Sequence, residues 1–78
     1  MRMMTDDRIR AGDYAFHRPT GEEWLILGVN YAQGKLCVAG WPPTIAEITD
    51  CELTERGNGL TDSERKSRQR SFGGEWDD

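Results

Sequence analysis

The chain has 78 residues, of which 36% are hydrophobic and 31% are charged, and its formal net charge is −4. This length fits one small domain, and no apolar run approaches the about 20 residues that a bilayer-spanning helix needs. Residues 13–56 carry seven acidic against three basic side chains. A surface of this charge argues against nucleic acid as the main ligand of that segment.

Residues 1–10 are expected to form a flexible N-terminus, and the folded part is expected to begin at residue 11. The first eight residues contain no apolar h-region, so no secretory signal is predicted and the cytoplasm is the expected location. In that reducing compartment, Cys37 and Cys51 are expected to be free thiols rather than a disulfide.

The middle of the chain alternates between short apolar runs and turn-forming residues, which is typical of an all-β fold. Pro19 and Gly21 favour a first turn, and Gly34 favours a second. Pro42 and Pro43 end the third run because neither can donate to a strand ladder. In chain order, we predict strands over 13–17, 23–31, 36–41 and 44–48, with a helical turn over 49–52 that leads into a final strand.

The longest predicted strand carries a glycine in its interior. Strict alternation places the side chains of this strand on two faces. One face would hold Leu25, Leu27, Val29 and Tyr31, and the other Trp24, Ile26, Gly28 and Asn30. Gly28 indicates a bulge or a sharp bend, which a tightly coiled barrel strand needs.

Residues 57–78 form a polar C-terminal tail. Gly57 and Gly59 interrupt regular structure, and the residues from Thr61 to Glu64 have the form of a capping box, so a transient helix is predicted over 62–70. This helix shows no apolar stripe, and its isolated stability would be marginal. We therefore expect the tail to be disordered or transiently helical.

Three segments, 11–14, 19–24 and 50–53, together resemble SH3-like barrels of the Tudor and KOW type. In that group a Gly-Asp pair opens the first strand, a bent strand pair follows, and a short turn precedes a final strand that contains leucine. The chain is also similar to short barrel proteins of unknown function from bacteria and their phages. The resemblance covers about residues 11–55. It implies an SH3-like barrel of four to five strands over 11–56 that is a binding module rather than an enzyme.

Aromatic residues form the main candidate binding face. By alternation, His17, Trp24 and Trp41 fall on one side of their strands, together with Cys37. They would line a groove for a protein ligand, with Pro42 and Pro43 holding the adjoining loop rigid. Alternatively, the two indoles close the open end of a small barrel.

His17, Cys37 and Cys51 are the strong zinc ligands of the chain, and Asp50 would complete a tetrahedral set. The sequence has no Cys-x-x-Cys pair and no paired histidines, so the favoured interpretation gives these residues structural roles and predicts no metal or other cofactor. A cysteine nucleophile activated by His17 would also lack room for a substrate pocket. No enzyme is predicted.

The tail supplies a second set of contact candidates. Four of them are basic and two are aromatic: Arg65, Lys66, Arg68, Arg70, Phe72 and Trp76. The aromatic pair would anchor a partner or fold back onto the barrel, and the basic run would support an accessory role at nucleic acid. The first choice is a protein-binding module, the second a nucleic-acid-associated barrel, and the third a zinc or thiol site, with the oligomeric state left open.

Overall fold

The protein is described here by a computed structural model, which describes residues 8–77. Its elements are β1 Tyr14–His17, β2 Glu22–Asn30, β3 Lys35–Ala39, β4 Thr44–Glu47, a 3₁₀ turn Ile48–Asp50, β5 Cys51–Glu55 and α1 Asp62–Ser71. The strands form one antiparallel sheet in the order β4-β3-β2-β1-β5. The all-β prediction is confirmed, with one short helix added.

The two predicted hairpin turns are present. β1 and β2 begin their pairing at His17 and Glu22, and β2 and β3 begin theirs at Asn30 and Lys35. Gly21 and Gly34 take positive φ angles of 72° and 70° in these turns. Glycine populates this region without steric cost, so the two residues fix where the strands reverse.

β4 and β5 are the edge strands of the sheet, yet only three residues, Ile48–Asp50, separate them in the chain. In a flat sheet, four strand spacings would place these edges about 19 Å apart. The four chain steps from Glu47 to Cys51 reach about 14 Å even when fully extended, and less in a 3₁₀ turn. The sheet therefore coils until its edges approach, which gives a half-open barrel.

β2 bends where it changes partner. Its residues up to Leu25 pair with β1, and the residues from Leu25 onward pair with β3, with a register shift between Ile26 and Gly28. Leu27 is the extra residue of this bulge, so the predicted irregularity at Gly28 is confirmed. The bulge also reverses the alternation, because Val29 packs in the same cluster as Ile26 while Leu27 packs in the other. The prediction that Val29 shares a face with Leu27 is wrong for this reason.

The concave face of the sheet holds the main core. Its centre is formed by Ile26, Leu36 and Val38, each at most 1% exposed, and Trp24 packs at its margin. Ile9 also belongs to this cluster and is 5% exposed. The expected flexible N-terminus therefore differs from the structure at Ile9, where one apolar side chain inserts into the barrel. Residues 1–7 lie outside the described part of the chain.

The outer face of β2 and β3 is covered by the C-terminal tail. Leu27 and Cys37 form a second buried cluster there with Ala11 and Leu60. Phe72 and Trp76, which follow α1 in the chain, pack on the same cluster.

The structure places the helix α1 in this tail, where a transient helix is predicted over 62–70, while disorder of the tail stays a prediction. α1 itself buries no residue, as the missing apolar stripe predicts, and the predicted capping box between Thr61 and Glu64 is confirmed. The anchors lie at Leu60, Phe72 and Trp76, outside the helix, so a search for a stripe within it does not find them. No helix within residues 8–77 is long and apolar enough to cross a membrane.

Candidate functional site

The loop between β3 and β4 presents one large aromatic side chain to solvent. Trp41 is 97% exposed, and its neighbours Gly40, Pro42 and Pro43 are exposed as well. The peptide bond between Trp41 and Pro42 is cis. An indole that is almost wholly exposed covers nothing, so the alternative in which Trp41 closes the barrel is wrong.

His17 and Trp24 form an aromatic pair at the other end of the predicted face. Their ring centroids lie 4.3 Å apart with 19° between the planes. The indole Nε1 of Trp24 donates to Oε1 of Glu22 at 3.1 Å, and Nδ1 of His17 lies 2.8 Å from Oγ1 of Thr20. Trp24 also packs against the inner core, so the idea that an indole covers the barrel fits this residue.

The predicted common face is only partly formed. Trp24 packs on the inner cluster, whereas Cys37 belongs to the outer one, and Trp41 takes no part in the stack of His17 on Trp24. The prediction that Cys37 shares a side with Trp24 is wrong, since β2 and β3 present these two side chains to opposite faces of the sheet. The candidate surface therefore separates into a half-buried aromatic pair, His17 with Trp24, and an exposed loop around Trp41.

The two thiols are buried apart from each other. Cys37 is 0% exposed under the tail and Cys51 is 9% exposed inside the barrel, and both are free. Burial raises the pKa of the Cys37 thiol from 9.0 to about 11, although the charge of Arg68 acts in the opposite direction. Burial and then the charge of Asp50 raise the pKa of Cys51, against a smaller lowering effect of Arg18. Neither thiol is poised as a nucleophile at neutral pH.

The predicted zinc ligands do not converge. Cys37 and Cys51 lie in clusters on opposite faces of the sheet, and His17 is stacked on an indole. Within the described residues, no three His, Cys, Asp or Glu side chains are grouped to hold a metal ion. The geometry does not support the zinc alternative.

The basic residues of the tail divide into two groups. Arg65, Lys66 and Arg70 are exposed on α1, whereas Nη1 of Arg68 donates to the carbonyl oxygen of Leu27 at 3.1 Å. Contact of the exposed three with nucleic acid stays a prediction. Phe72 and Trp76, in edge-to-face contact at 6.1 Å, pack on their own sheet, as the fold-back alternative predicts.

Sequence reasoning missed one buried polar site. Asp13 is 1% exposed, and its carboxylate accepts hydrogen bonds from Nη1 of Arg56 at 2.7 Å, from the backbone N–H of Gly57 at 2.7 Å and from that of Arg10 at 2.9 Å. The single available signal is an acid that follows a glycine at the start of a strand. Nothing in the sequence joins it to an arginine 43 positions away.

In comparisons with known proteins, no family model matches the sequence, and neither a curated protein nor a solved structure shows significant similarity to it.

Proposed function

We propose that the chain is a small non-enzymatic protein-binding module and that the loop of residues 40–43 is its docking element. The observation that carries this proposal is the 97% exposure of Trp41. Tryptophan is enriched among the residues that dominate the energy of protein interfaces. Burial of one indole removes about 200 Å² from water, which is worth about 5 kcal/mol before the costs of association.

The loop has the stiffness that such an anchor needs. Val38 and Thr44 pair with each other across β3 and β4, and this pair closes the base of the loop. Pro42 and Pro43 restrict the backbone next to the indole, so little conformational entropy is lost when a partner binds. A binding role also agrees with the resemblance to SH3-like barrels, which stays a prediction, as does the cytoplasmic location.

The experiment is photo-crosslinking with the full chain, in which a benzophenone amino acid replaces Trp41 in one version and Ile45 in a second. Ile45 is also an exposed apolar residue, at 47%, and serves as the matched control. We expect a discrete crosslinked protein from position 41 in cells of the source organism, and none or a different one from position 45.

A second arm uses the substitutions Trp41→Ala and Ile45→Ala in affinity capture. Trp41→Ala is expected to lose the crosslinked protein while the melting temperature stays unchanged. Retention of that protein by Trp41→Ala at the wild-type level would overturn the proposal.

A further inference from the structure

The terminal segment, residues 72–77, lies on the sheet in the way that a bound peptide would. β1 pairs with β2 as far as Leu25, and Gly12 and Asp13 continue along this edge by hydrogen bonds to Ile26. The part of the edge beyond Ile26 lies past the reach of β1. The backbone N–H of Asp77 donates to the carbonyl oxygen of Val29 at 2.8 Å, and that of Val29 donates back to Asp77 at 3.3 Å. This is one antiparallel bridge between Val29 and Asp77, and its two backbone hydrogen bonds are of the kind that peptides make when they add to sheet edges.

The sheet is shaped to receive this segment. We call the outer-face residues Leu27, Gly28 and Cys37, together with the backbone edge of Val29, the tail groove. A Cβ atom on Gly28 would lie 2.9 Å from Cβ of Trp76, which is closer than real Cβ atoms approach, and 3.0 Å from Sγ of Cys37. The missing side chain of Gly28 therefore lets Trp76 settle directly on the backbone of β2.

Two glycines join the terminal segment to α1, and the N–H of Gly73 donates to the carbonyl oxygens of Arg68 and Gln69 in the last turn of the helix. Gly73 and Gly74 both have positive φ, 59° and 75°, and glycine is the residue for which such angles are freely reversible. One residue pair, Val29 with Asp77, forms the ladder. Beside it, Asn30, Arg68 and Trp76 line part of an open cleft of about 560 Å³. The backbone contact between the terminal segment and the sheet is thus confined to one residue pair.

We propose that the tail groove is a peptide-binding site that the chain's own terminal segment occupies in cis. The partner it fits is a protein segment that carries two aromatic residues four positions apart on either side of a glycine turn, as Phe72 and Trp76 are, and whose backbone pairs with Val29. The site is distinct from the loop at Trp41 and goes beyond the function proposed above. The terminal segment is an autoinhibitory occupant, because a short tether gives it an effective concentration in the millimolar range.

The test follows the thiol of Cys37, which lies at the bottom of the tail groove. The full chain and its Trp76→Ala variant are treated with a thiol reagent, and mass spectrometry reports each cysteine separately. Cys51, buried in the barrel, is the internal reference for global unfolding. Trp41→Ala is the matched control, since it removes an indole from outside the groove.

We expect Trp76→Ala to raise the rate of thiol modification at Cys37 about tenfold or more, while the rate of modification at Cys51 stays constant. Loss of the indole shifts the equilibrium of the terminal segment toward the state in which it has left the groove. Added synthetic peptide SFGGEWDD, the sequence of residues 71–78, should restore the protection of Cys37. The same peptide with alanine in place of tryptophan should not. Trp41→Ala should leave both rates at the wild-type value.

An unchanged rate at Cys37 in Trp76→Ala, or no protection by the peptide at millimolar concentration, would overturn the proposal. Should Cys51 become reactive in parallel, the variant has unfolded, and Asp77→Pro then decides by the same criteria, since it removes the N–H that donates to Val29 and keeps the indole of Trp76. Mixed dimers of wild type and variant in native mass spectrometry would assign the groove to a second copy of this chain and overturn its assignment to another protein.

Discussion

The carboxylate of Asp13 and the guanidinium of Arg56 lie 2.7 Å apart, and the carboxylate is almost completely removed from solvent while the guanidinium side chain is 40% exposed. The same arginine nitrogen also donates to the carbonyl oxygen of Arg8 at 2.9 Å. Asp13 directly precedes β1 and Arg56 directly follows β5. This pair therefore links the start of the first strand to the end of the last strand. The entry of the chain into the sheet is therefore fixed by a charge contact rather than by apolar packing alone.

Replacement of Asp13 by alanine is expected to lower the free energy of unfolding by about 3 kcal/mol. The substitution leaves the partly buried N–H groups of Arg10 and Gly57 without their acceptor, whereas Arg56 can turn to solvent. Urea titration followed by circular dichroism measures the change. The control is Glu47→Ala, which removes the exposed pair with Lys35 at 3.1 Å and should cost less than about 1 kcal/mol. Equal losses in the two variants would contradict the role given to Asp13.

Gly28→Ala is expected to release the terminal segment from the sheet. Its new Cβ would lie 2.9 Å from Cδ of Arg68 and from Cβ of Trp76, and such overpacking costs about 1–3 kcal/mol. Hydrogen exchange of the Val29 and Asp77 amides should accelerate, since these two form the terminal strand pair. Gly40→Ala is the control because its Cβ would meet only an ordinary contact of 3.6 Å. Unchanged hydrogen exchange at both amides in Gly28→Ala would contradict this prediction, because it would show that the terminal segment stays on the sheet despite the added Cβ.

Trp24→Ala and Trp41→Ala are expected to separate a structural indole from an exposed one. Trp24 packs against the inner core and on the ring of His17, so its truncation should cost about 2–3 kcal/mol. Trp41 is exposed, and its truncation should change stability by less than about 0.5 kcal/mol. Thermal unfolding of the two variants side by side gives the comparison. A large loss in Trp41→Ala would show that the loop is part of the core and would remove the basis for its proposed role.

Alternation and turn chemistry predicted the strands, because each depends on residues close in the chain. The glycine turns, the end of β3 before Pro42 and the bulge near Gly28 all follow from local backbone preferences. The face of the sheet on which each residue after the bulge lies depends on which residue is the extra one. The sequence indicates an irregularity at Gly28, but the extra residue of the bulge is Leu27. Simple alternation therefore predicts the wrong face of the sheet for the residues that follow.

Long-range contacts were not predictable in the same way. The tail packs through Leu60, Phe72 and Trp76, which flank α1 and form no periodic pattern. The contact between Asp13 and Arg56 depends on the coiling of the whole sheet, and the exposure of Trp41 depends on where its loop points. The composition shows that the chain contains such aromatic and charged residues. Whether each of them packs in the core, forms an ion pair or is exposed to solvent depends on the fold.

Stability is expected to fall above pH 9 through Cys37. Its thiol has a pKa of about 11 in the folded chain against 9.0 without burial, so below pH 9 it is neutral in both states and its burial costs nothing. Between pH 9 and 11 the unfolded chain releases the thiol proton while the folded chain retains it. This stabilises the unfolded state relative to the folded state and lowers the free energy of unfolding. At pH 10 the loss relative to pH 8.5 should be about 1 kcal/mol.

The measurement is urea unfolding of wild type and of Cys37→Ala at pH 8.5 and pH 10. Other groups that titrate in this range, Cys51 included, are present in both chains and cancel in the comparison. Cys37→Ala should therefore lose about 1 kcal/mol less than wild type between the two pH values, whatever its stability at pH 8.5. Parallel losses in the two chains would mean that the Cys37 thiol is accessible to solvent in the folded state, and the covering of the groove by Trp76 would then be incomplete.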